Sequence, residues 1–398
     1  MQKSLLVVFL VLLIGCNGEQ SKKQSPDKQD VTQLLDDSDA FSNFSSLSLI
    51  PSQTSTVYRA NEGEWQFNLH SYLVRYENKF WAMWSSGPVN ESDRDQVIHY
   101  ATSTDGHHWD PPEVITDSPV ATDGKPGLVV ARGFYELDGN FFALVGYMDS
   151  IIGLGPEVYK RGWENLKLLR FEWDGKTWID RGVFLEDFLN NYPPLPIRDR
   201  LFMTRRDGAQ RKVYTVLSNT LKGEKWTSTP LPEESDLARM SEPTWYIGPD
   251  EVVHLIFRDK AREGFLYHSI SLDDGFTFST PLQTNYPDTP AKSFTGRLSS
   301  GEYYLINNPG KTRDPLAITF SHDGWTFSNA ALLRYKAPEL RFNGLAKLNM
   351  TFQYPHALEH NGSLWVIYAT NKEDIEISEF QLSDLQKAAQ LSTHHIIY

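Results

Sequence analysis

Histidine and arginine side chains in segments of alternating hydrophobicity could carry out acid–base chemistry on an acidic ligand. His70 lies in FNLHSYL, and an imidazole that titrates near neutrality can act as a general base. Arg205 and Arg206 are adjacent in a predicted strand, so their side chains point to opposite faces and one of them can reach a central pocket. A guanidinium fork suits a planar carboxylate, and we expect Arg205 or Arg206 to bind one. The structural alternatives are an ordinary strand histidine and an ion pair between sheets.

Further side chains are candidates for recognition or catalysis. Tyr192 and Tyr246 could act as an acid or stack on a sugar ring, or each could be a packed core aromatic. Arg258 and Lys292 occupy matching positions in successive repeats, where they could bind acid groups or bridge neighbouring sheets. His356 could line the same central axis.

No sequence motif indicates a metal or a cofactor. The sequence has no His/Cys/Asp cluster with metal-ligand spacing, no Gly-rich phosphate loop and no G-x-S-x-G elbow. We predict that no cofactor is needed, and a structural calcium ion stays open.

These side chains must be positioned by a repeated element. Residues 265–327 contain one pattern twice, FLYHSISLDDGFTFS and PLAITFSHDGWTFSN, in which S-x-D-(D)-G-x-T-F separates two short strands. We call this turn an Asp box; residues 100–115 contain another and residues 171–178 a shorter one. Asp-Gly provides the side-chain cap and the positive φ of a tight turn. The aromatic residue that ends each box can plug it into the core.

The spacing of the plug aromatics predicts the architecture. They are 69, 48, 52 and 49 residues apart, at Trp109, Trp178, Trp226, Phe278 and Phe327. A unit of about 50 residues with several strands matches a four-stranded propeller blade. We therefore predict an all-β protein, a seven-bladed β-propeller of four-stranded antiparallel blades, or a six-bladed one if the long first interval holds an insertion. Residues 46–60 are expected to close the ring by pairing with the C-terminal strands.

The N-terminal residues predict export and lipidation. Lys3 is followed by the apolar run Leu5–Gly15 and then by Cys16, the only cysteine. Eleven apolar residues are too few to span a bilayer and suit a signal peptide. Leu13-Ile14-Gly15-Cys16 resembles a bacterial lipobox, and the alternative is a general export signal with an incidental cysteine. We predict a lipoprotein signal peptide over 1–15, a lipidated Cys16 with a disordered tether over 16–45, and one domain over 46–398.

Charge and composition narrow the partners. The formal net charge of −13 argues against nucleic acid, because phosphate binding needs a basic face. Eleven tryptophans fit blade plugs and also fit stacking on sugar rings. We expect a monomer that contacts a membrane through its lipid anchor only, at the outer membrane of a bacterial cell envelope.

The Asp boxes resemble those of the sialidase-like (Asp-box, or BNR) β-propeller superfamily. Longer stretches resemble one branch of it, the rhamnosyl-glucuronate glycoside hydrolases and the ulvan-type polysaccharide lyases. These stretches are YPPLPIRDRLFMTRRD (192–207), SEPTWY (241–246), FRD (257–259), TNYPDTPAKSFTGRLSSGEYYLINN (284–308), RDPL (313–316), YPH (354–356) and NKED (371–374).

The resemblance implies an enzyme that cleaves an acidic oligo- or polysaccharide at a rhamnose–uronic acid linkage. It also implies one catalytic histidine near the first blade, a role that His70 fits. The related lyases have a second histidine about twenty residues later, where this chain reads GPVNESD, so we prefer hydrolysis to β-elimination. On this basis we assign His70, Tyr192 and Arg205 to catalysis, and Arg206, Tyr246, Arg258 and Lys292 to substrate binding.

Two other hypotheses stay open. The first is a true sialidase. Resemblance to that class implies three arginines around a carboxylate, a Tyr/Glu nucleophile pair and an Asp acid. Arg205, Arg258 and Arg313 could form that triad, although the usual Arg-Ile/Leu-Pro motif is missing. A non-catalytic glycan-binding lipoprotein would keep the aromatics and arginines without needing a base, because a propeller fold does not determine function.

Overall fold

A computed structural model describes residues 33–152, 162–232, 240–344 and 351–390. Within these ranges 27 strands, β1 to β27, provide nearly all of the regular structure. One helix, α1 (Leu382–Gln390), follows the last strand, and a short 3-10 turn lies at Phe44–Ser46. The described residues include no helix that is long and apolar enough to cross a membrane. The predicted signal peptide, Cys16 and the tether up to residue 32 lie outside the described residues.

The strands form six antiparallel sheets that follow one another along the chain. The first blade contains β2 (Phe67–Tyr76), β3 (Lys79–Gly87), β4 (Val97–Ser103) and β5 (Glu113–Asp117). The second contains β6 (Leu128–Leu137), β7 (Asn140–Met148), β10 (Lys167–Trp173) and β11 (Trp178–Glu186). The third contains β12 (Leu189–Asn190) and β13 (Leu195–Ile197) on one side of β14 (Arg200–Arg206), then β15 (Val213–Ser218) and β16 (Trp226–Pro230).

The other three blades repeat this order. The fourth contains β17 (Met240–Ile247), β18 (Val253–Asp259), β19 (Phe265–Ser271) and β20 (Leu282–Pro287). The fifth contains β21 (Phe294–Arg297), β22 (Tyr303–Asn307), β23 (Leu316–Ser321) and β24 (Ser328–Arg334). The sixth contains β25 (Phe352–His360), β26 (Ser363–Thr370), β27 (Asp374–Gln381) and, as its outer strand, β1 (Gln53–Tyr58).

The fold is therefore an all-β propeller, as predicted, with six blades rather than seven. The long interval between Trp109 and Trp178 holds an inserted two-stranded hairpin, β8 (Ser150–Ile152) and β9 (Gly162–Glu164), and no extra blade. The N-terminal strand β1 joins the sixth sheet, where Thr54 pairs with Ser378, so it closes the ring as expected. The insertion and the shared sixth blade together account for the residues that suggested a seventh.

The Asp boxes have the geometry that the sequence predicts. In the fifth blade, Ser321 Oγ accepts the amide of Gly324 (2.9 Å) and donates to Asp323 Oδ1 (2.9 Å). Asp323 Oδ1 also accepts the amides of Trp325 (2.8 Å) and Thr326 (2.9 Å), which caps the turn. Gly324 has a φ of 73°, a conformation that favours glycine, and the plug Phe327 is fully buried.

Part of the predicted tether is packed against the domain. The amides of Leu34 and Leu35 both donate to Asn285 Oδ1 (2.9 Å each), and the Leu34 carbonyl accepts the amide of Phe327 (2.9 Å). Leu34, Leu35 and Phe41 are buried in the core between the fourth and fifth blades. Residues 33–45 thus belong to the domain, because two leucines and a phenylalanine complete an apolar seam that would otherwise face water.

The alternating strand directions divide the ring into two faces. In every blade the start of the first strand, the end of the second and the start of the third lie on one face. The Asp boxes follow third strands and therefore lie on the opposite face. This division matters below, because the charged side chains collect on the face that lacks the boxes.

We predict that Leu35→Ala lowers the free energy of unfolding by about 2–5 kcal/mol, because it removes a fully buried side chain from this seam. Leu49→Ala is the matched control, since Leu49 lies in the same N-terminal segment with 58% of its surface exposed. Denaturant unfolding of both variants measures the difference. Equal stability of the two variants would show that the N-terminal segment does not pack as described.

Candidate functional site

Backbone bulges aim four side chains at the centre of the ring. In four blades the first strand has a bulge at the same place, where two of its residues oppose one residue of the second strand. The bulges lie between Leu69 and Tyr72, Ala131 and Phe134, Ser241 and Thr244, and Gln353 and His356. The first residues of these bulges are His70, Arg132, Glu242 and Tyr354. A bulge leaves its extra residue unpaired and redirects that side chain, and bulges are common next to active sites.

The bulges carry backbone strain. His70, Glu242 and Tyr354 have positive φ values of 59°, 49° and 57°, and at the Arg132 bulge the following Gly133 has a φ of 101°. For a non-glycine residue such a conformation costs on the order of 1–3 kcal/mol, and it persists at sites where function requires it. The recurrence of this strain at one position in the ring marks the centre as the candidate site.

Glu242 is the anion around which the site is arranged. Its carboxylate is buried and binds Arg206 Nη2 (3.3 Å) and Arg258 Nη1, and it lies 3.3 Å from the Tyr354 hydroxyl. Arg258 Nη1 also donates to the Tyr354 hydroxyl (2.9 Å). Burial opposes ionisation of Glu242, but Arg258, Arg206 and Arg132 outweigh it and hold its pKa well below the usual range. Burial and the Glu242 charge raise the pKa of Tyr354, which therefore stays protonated.

Arg132 has unused hydrogen-bonding capacity at the same centre. It is almost completely buried, and its Nε and Nη1 groups have no partner. Buried polar groups in proteins are nearly always hydrogen-bonded, so these two N–H positions of Arg132 are available to a ligand that supplies acceptors. A carboxylate matches this requirement, because its two oxygens can accept two parallel N–H bonds.

Lys292 and Arg313 add two further buried cations. Lys292 Nζ donates to the Tyr72 hydroxyl (2.9 Å) and the Asn191 carbonyl (3.0 Å), and it lies 3.8 Å from the centre of the Tyr192 ring. Burial and the charge of Arg132 hold its pKa well below the usual range. Arg313 donates to the carbonyl of Pro290 (2.6 Å) and to Gln353.

His70 lies beside Tyr354, with ring centres 5.3 Å apart. Its Nδ1 is hydrogen-bonded to Ser85 Oγ (3.2 Å), which also accepts the amide of Ala131 (2.9 Å). Its Nε2 faces a Glu91 carboxylate oxygen at 4.0 Å. Burial and the charge of Arg132 hold the pKa of His70 well below 6.5, against the opposing effect of Glu91. His70 is therefore neutral at pH 7 and able to accept a proton.

Glu91 and Lys372 form the second ion pair of the site. Lys372 Nζ donates to Glu91 Oε2 (2.5 Å) from a fully enclosed position, whereas the Glu91 side chain is 39% exposed. Burial would raise the pKa of Glu91, but the Lys372 charge outweighs it and lowers the pKa to about 2. Because the Glu91 side chain is partly exposed, solvent reaches the site there. Glu91 is also the ionised carboxylate that lies next to His70.

We call these ten side chains the hub cluster. Its members are His70, Glu91, Arg132, Arg206, Glu242, Arg258, Lys292, Arg313, Tyr354 and Lys372, and they influence one another's titration. Six of them are basic and two are acidic. They lie near the starts of first strands, the ends of second strands or the starts of third strands, so they share the face opposite the Asp boxes. The cluster is thus a local excess of positive charge in a chain of net charge −13.

The structure brings together some of the side chains assigned from sequence and separates others. His70, Arg206, Arg258 and Lys292 are in the hub cluster. Arg205 points the other way, as adjacent strand residues must: it binds the Asp187 carbonyl (2.5 Å) and Ser228 Oγ (3.0 Å) and lies over the Tyr214 ring. Of the two arginines, Arg206 is thus the one that reaches the centre.

Tyr246 and Tyr192, the two tyrosines assigned from sequence, are buried, and both hydroxyls donate to backbone carbonyls. The Tyr246 hydroxyl donates to the Gly324 carbonyl (2.9 Å) and its ring stacks on His254, which places it between the fourth and fifth blades and away from the centre. Tyr192 lies at the edge of the hub cluster, where its hydroxyl donates to the Ser293 carbonyl and its ring covers Lys292. Burial raises the pKa of the Tyr192 hydroxyl well above 10, and the contact of this side chain with Lys292 is made by its ring.

Five members of the hub cluster were not assigned from sequence: Glu91, Arg132, Glu242, Tyr354 and Lys372. Glu242, Tyr354 and Lys372 lie inside three of the stretches on which the resemblance was based, and the first two each lie directly before a proline. That shared Glu-Pro and Tyr-Pro pattern was the available signal, because proline lacks the N–H that a bulge leaves unpaired. In the described ranges, no group of three or more His, Cys, Asp or Glu side chains could hold a metal ion.

The sequence matches the family model of the BNR repeat-like domain over residues 78–367. The chain belongs to this family. No curated protein matches it. Among solved structures, a Hadza microbial sialidase, Hz136, is similar at 17% identity and a TM-score of 0.63, over 83% of this chain and 69% of the sialidase. Trypanosoma rangeli sialidase in complex with sialic acid is similar at 13% identity and a TM-score of 0.60, over 86% of this chain and 61% of the sialidase.

A further structure, described as a sialidase, is similar at 19% identity and a TM-score of 0.59 over 84% of this chain. The chain spans about a third of the length of that sialidase. Identities this low establish the sialidase-like propeller fold, and they leave the reaction to be argued from the side chains.

We predict that Lys372→Met raises the pKa of Glu91 above about 2, because burial then acts without the neighbouring ammonium. In the wild-type protein the lowered pKa contributes stability that is fully present above pH about 4.5 and is lost as the pH falls towards 2. In the variant, this loss begins at higher pH. NMR titration of ¹³C-labelled glutamate side chains, with acid unfolding in parallel, measures both effects.

Arg181→Met is the control for this titration, since Arg181 forms a comparable ion pair with Glu172 on the surface (2.8 Å). It should leave the Glu91 titration unchanged. A Glu91 pKa that stays near 2 in Lys372→Met would contradict the described ion pair.

Proposed function

We propose that the protein is a glycoside hydrolase that acts on an acidic glycan and binds a sugar carboxylate in the hub cluster. The observation that carries the proposal is the buried guanidinium of Arg132, whose Nε and Nη1 lack acceptors inside a cluster of six basic and two acidic side chains. Arg206 and Arg258 are already bound to Glu242. The carboxylate of a substrate would therefore bind Arg132 and those N–H groups of Arg206 and Arg258 that do not contact Glu242. Guanidinium groups suit this task because they stay charged when buried.

The linkage that we propose is a rhamnose–uronic acid bond, in agreement with the stretches that resemble rhamnosyl-glucuronate hydrolases. In hydrolysis, the oxygen of water bonds to the anomeric carbon, the glycosidic C–O bond breaks, and the departing oxygen takes a proton from solvent, to which the imidazolium later returns its own. Neutral His70 would accept the proton of the attacking water, and ionised Glu91 would stabilise the imidazolium that forms. The solvent-accessible carboxylate of Glu91 lies 4.0 Å from His70 Nε2, which supports this assignment.

A second candidate function, hydrolysis of a sialoside, is favoured by one specific arrangement. Tyr354 and Glu242 lie 3.3 Å apart, and Arg206, Arg258 and Arg313 surround them. This is a Tyr/Glu pair with three arginines, and Arg206 takes the place that the sequence had suggested for Arg205. The Tyr354 oxygen would bond to the anomeric carbon as the glycosidic C–O bond breaks, Glu242 would take the phenol proton, and the departing oxygen would gain a proton from water. A neutral tyrosine approaches a carbon next to a carboxylate with less repulsion than an ionised side chain.

We also propose that Cys16 is lipidated and anchors the domain to the bacterial envelope. The apolar run before Cys16 supports this proposal. The first described residues lie beside Phe327 on the face that carries the Asp boxes, opposite the hub cluster. A tether that leaves from there would keep the candidate site turned away from the anchor.

The first test is a pair of substrates, a rhamnose-capped glucuronate oligosaccharide and sialyllactose. We expect free rhamnose without an unsaturated uronate, and a fall in kcat of about 10²–10⁴-fold for His70→Ala, because a proton-transfer group is lost. Tyr354→Phe should then reduce kcat far less than His70→Ala, because the phenol takes no part in this proton transfer. Release of sialic acid that depends on Tyr354 and not on His70 would select the second candidate, and an unsaturated uronate would indicate β-elimination.

The second test uses two adjacent arginines. Arg206→Met should reduce kcat/KM by about 100-fold or more, because it removes a cation from the buried cluster and leaves Glu242 with one partner fewer. Arg205→Met should stay within about threefold of wild type, because its guanidinium contacts Asp187 and Ser228 on the outer side of the strand. Thermal unfolding of both variants separates a loss of chemistry from a loss of structure. Equal losses in the two variants would contradict the placement of the site.

A further inference from the structure

A second group of basic side chains borders the hub cluster. Lys260 follows β18 in the fourth blade, and Arg211 lies between β14 and β15 in the third. Trp163 comes from β9 of the inserted hairpin in the second blade. All three extend from the ends of second strands or from the connections that follow them, so they lie on the same face as the hub cluster.

The inserted hairpin holds Trp163 firmly at this border. The Trp163 amide donates to the Gly208 carbonyl (2.6 Å), and a Cβ added at Gly162 or Gly208 would lie 2.7 Å from a carbonyl oxygen of the other segment. The Trp163 ring contacts two guanidinium groups, with Arg206 Cζ at 4.9 Å and Arg211 Cζ at 4.2 Å from its centre. The ring therefore links an arginine of the hub cluster to an arginine outside it.

Lys260 lacks a counterion in this group. Among the described residues it forms no ion pair or hydrogen bond, and it is half-buried. Asp207 Oδ1 accepts the amides of Gln210 (2.9 Å) and Lys212 (3.3 Å). Asp259 likewise accepts the amides of Arg262 (2.8 Å) and Gly264 (2.6 Å). Asp259, which directly precedes Lys260, and Asp207 are thus both hydrogen-bonded within turns.

The charge environment of Lys260 is correspondingly unfavourable. Burial and the positive charges of Arg206, Arg211 and Arg258 lower its pKa to about 8, and Glu242 is the acidic side chain that opposes them. Glu242 is itself bound to two arginines. Like charges held together on a rigid support create an electrostatic potential that an oxyanion relieves.

We propose that Lys260, Arg211 and Trp163 form a second anion-binding subsite, which takes an acid group on the sugar next to the one bound in the hub cluster. The ligand chemistry is that of an oxyanion, a carboxylate or a sulfate ester, because ammonium and guanidinium groups donate to either. This inference rests on the proposed function for the identity of the first sugar. It makes the preferred substrate an oligosaccharide with at least two acid groups.

The experiment measures binding and turnover of three defined oligosaccharides. The first is a rhamnosyl-glucuronate disaccharide with one acid group, the second a trisaccharide with an additional glucuronate, and the third the disaccharide with one sulfate ester. Calorimetry gives Kd for each, and product release gives KM where turnover occurs. We expect the ligands with two acid groups to bind about tenfold more tightly, with a gain that shrinks at high ionic strength.

Lys260→Ala should remove this gain and leave the Kd of the disaccharide within about twofold of wild type. Lys260→Arg should restore it, because the charge returns. The matched control is Lys79→Ala, an exposed lysine in the β2–β3 turn on the opposite face, which should change neither value. A gain for only the trisaccharide or only the sulfated disaccharide identifies the acid group, and either outcome supports the subsite.

Failure of the subsite is distinguishable from failure of the proposed function. Equal binding of all three ligands, or equal weakening of all three by Lys260→Ala, would overturn the subsite and leave the hub cluster as the only anion site. Tighter binding of the ligands with two acid groups without any cleavage would support the subsite and count against hydrolysis. If none of the three ligands binds, both proposals fall.

Discussion

The burial of more basic than acidic side chains around Glu242 is the constraint on which this structure depends. Removing one partner of a buried ion pair is costly, because the remaining charge has lost its hydration. The charge of Glu242 is compensated by two arginines and by the Tyr354 hydroxyl. The guanidinium of Arg132 is compensated only in part, because two of its N–H positions have no acceptor. The ring thus holds a preformed group of buried charges, in which two N–H positions of Arg132 lack acceptors.

All six blades contribute to maintaining this arrangement. The bulges at His70, Arg132, Glu242 and Tyr354 direct side chains to the centre at the expense of backbone strain, and regular sheet on both sides of each bulge supports it. The fifth blade supplies Lys292, which is enclosed by Tyr72 from the first blade and Tyr192 from the third. Closure by β1 in the sixth blade keeps these six contributions in register. A site built from every blade therefore depends on the stability of the whole ring.

The fold could be predicted from sequence because it rests on local patterns. The Asp-Gly turns and their aromatic plugs depend on residues a few positions apart. The turns are confirmed, and of the plugs Phe278 and Phe327 are buried while Trp109, Trp178 and Trp226 are half-buried. The closing strand is also confirmed, although Thr54 of β1 pairs there with the distant Ser378 of β27. The number of blades was less certain, because an inserted hairpin and an extra N-terminal strand lengthen the chain just as a blade would. The boundary of the tether was misplaced because Leu34 and Leu35 become core residues only through contact with Asn285, some 250 residues away.

The site could be predicted only in part. Alternation showed that Arg205 and Arg206 face opposite ways, but which of them faces inward depends on where the strand sits in the ring. Tyr246 was a reasonable candidate by type, and its neighbours His254 and Phe327 make it a core residue. Arg132 and Glu91 carried no recognisable motif, and Lys372 lay in the NKED stretch without an assigned role, because these roles arise from charges that lie far apart in sequence.

The sequence by itself determined a ring of Asp-box blades, a chain of net negative charge, and a set of histidine, arginine and tyrosine candidates. Only the tertiary structure decided that the candidate site lies opposite the Asp boxes, that Glu242 organises it, and that Arg206 belongs to it while Arg205 does not. The physical reason is the range of the forces involved. Turn geometry and strand alternation act over a few residues, whereas burial and electrostatic coupling depend on which distant strands the closed ring brings together.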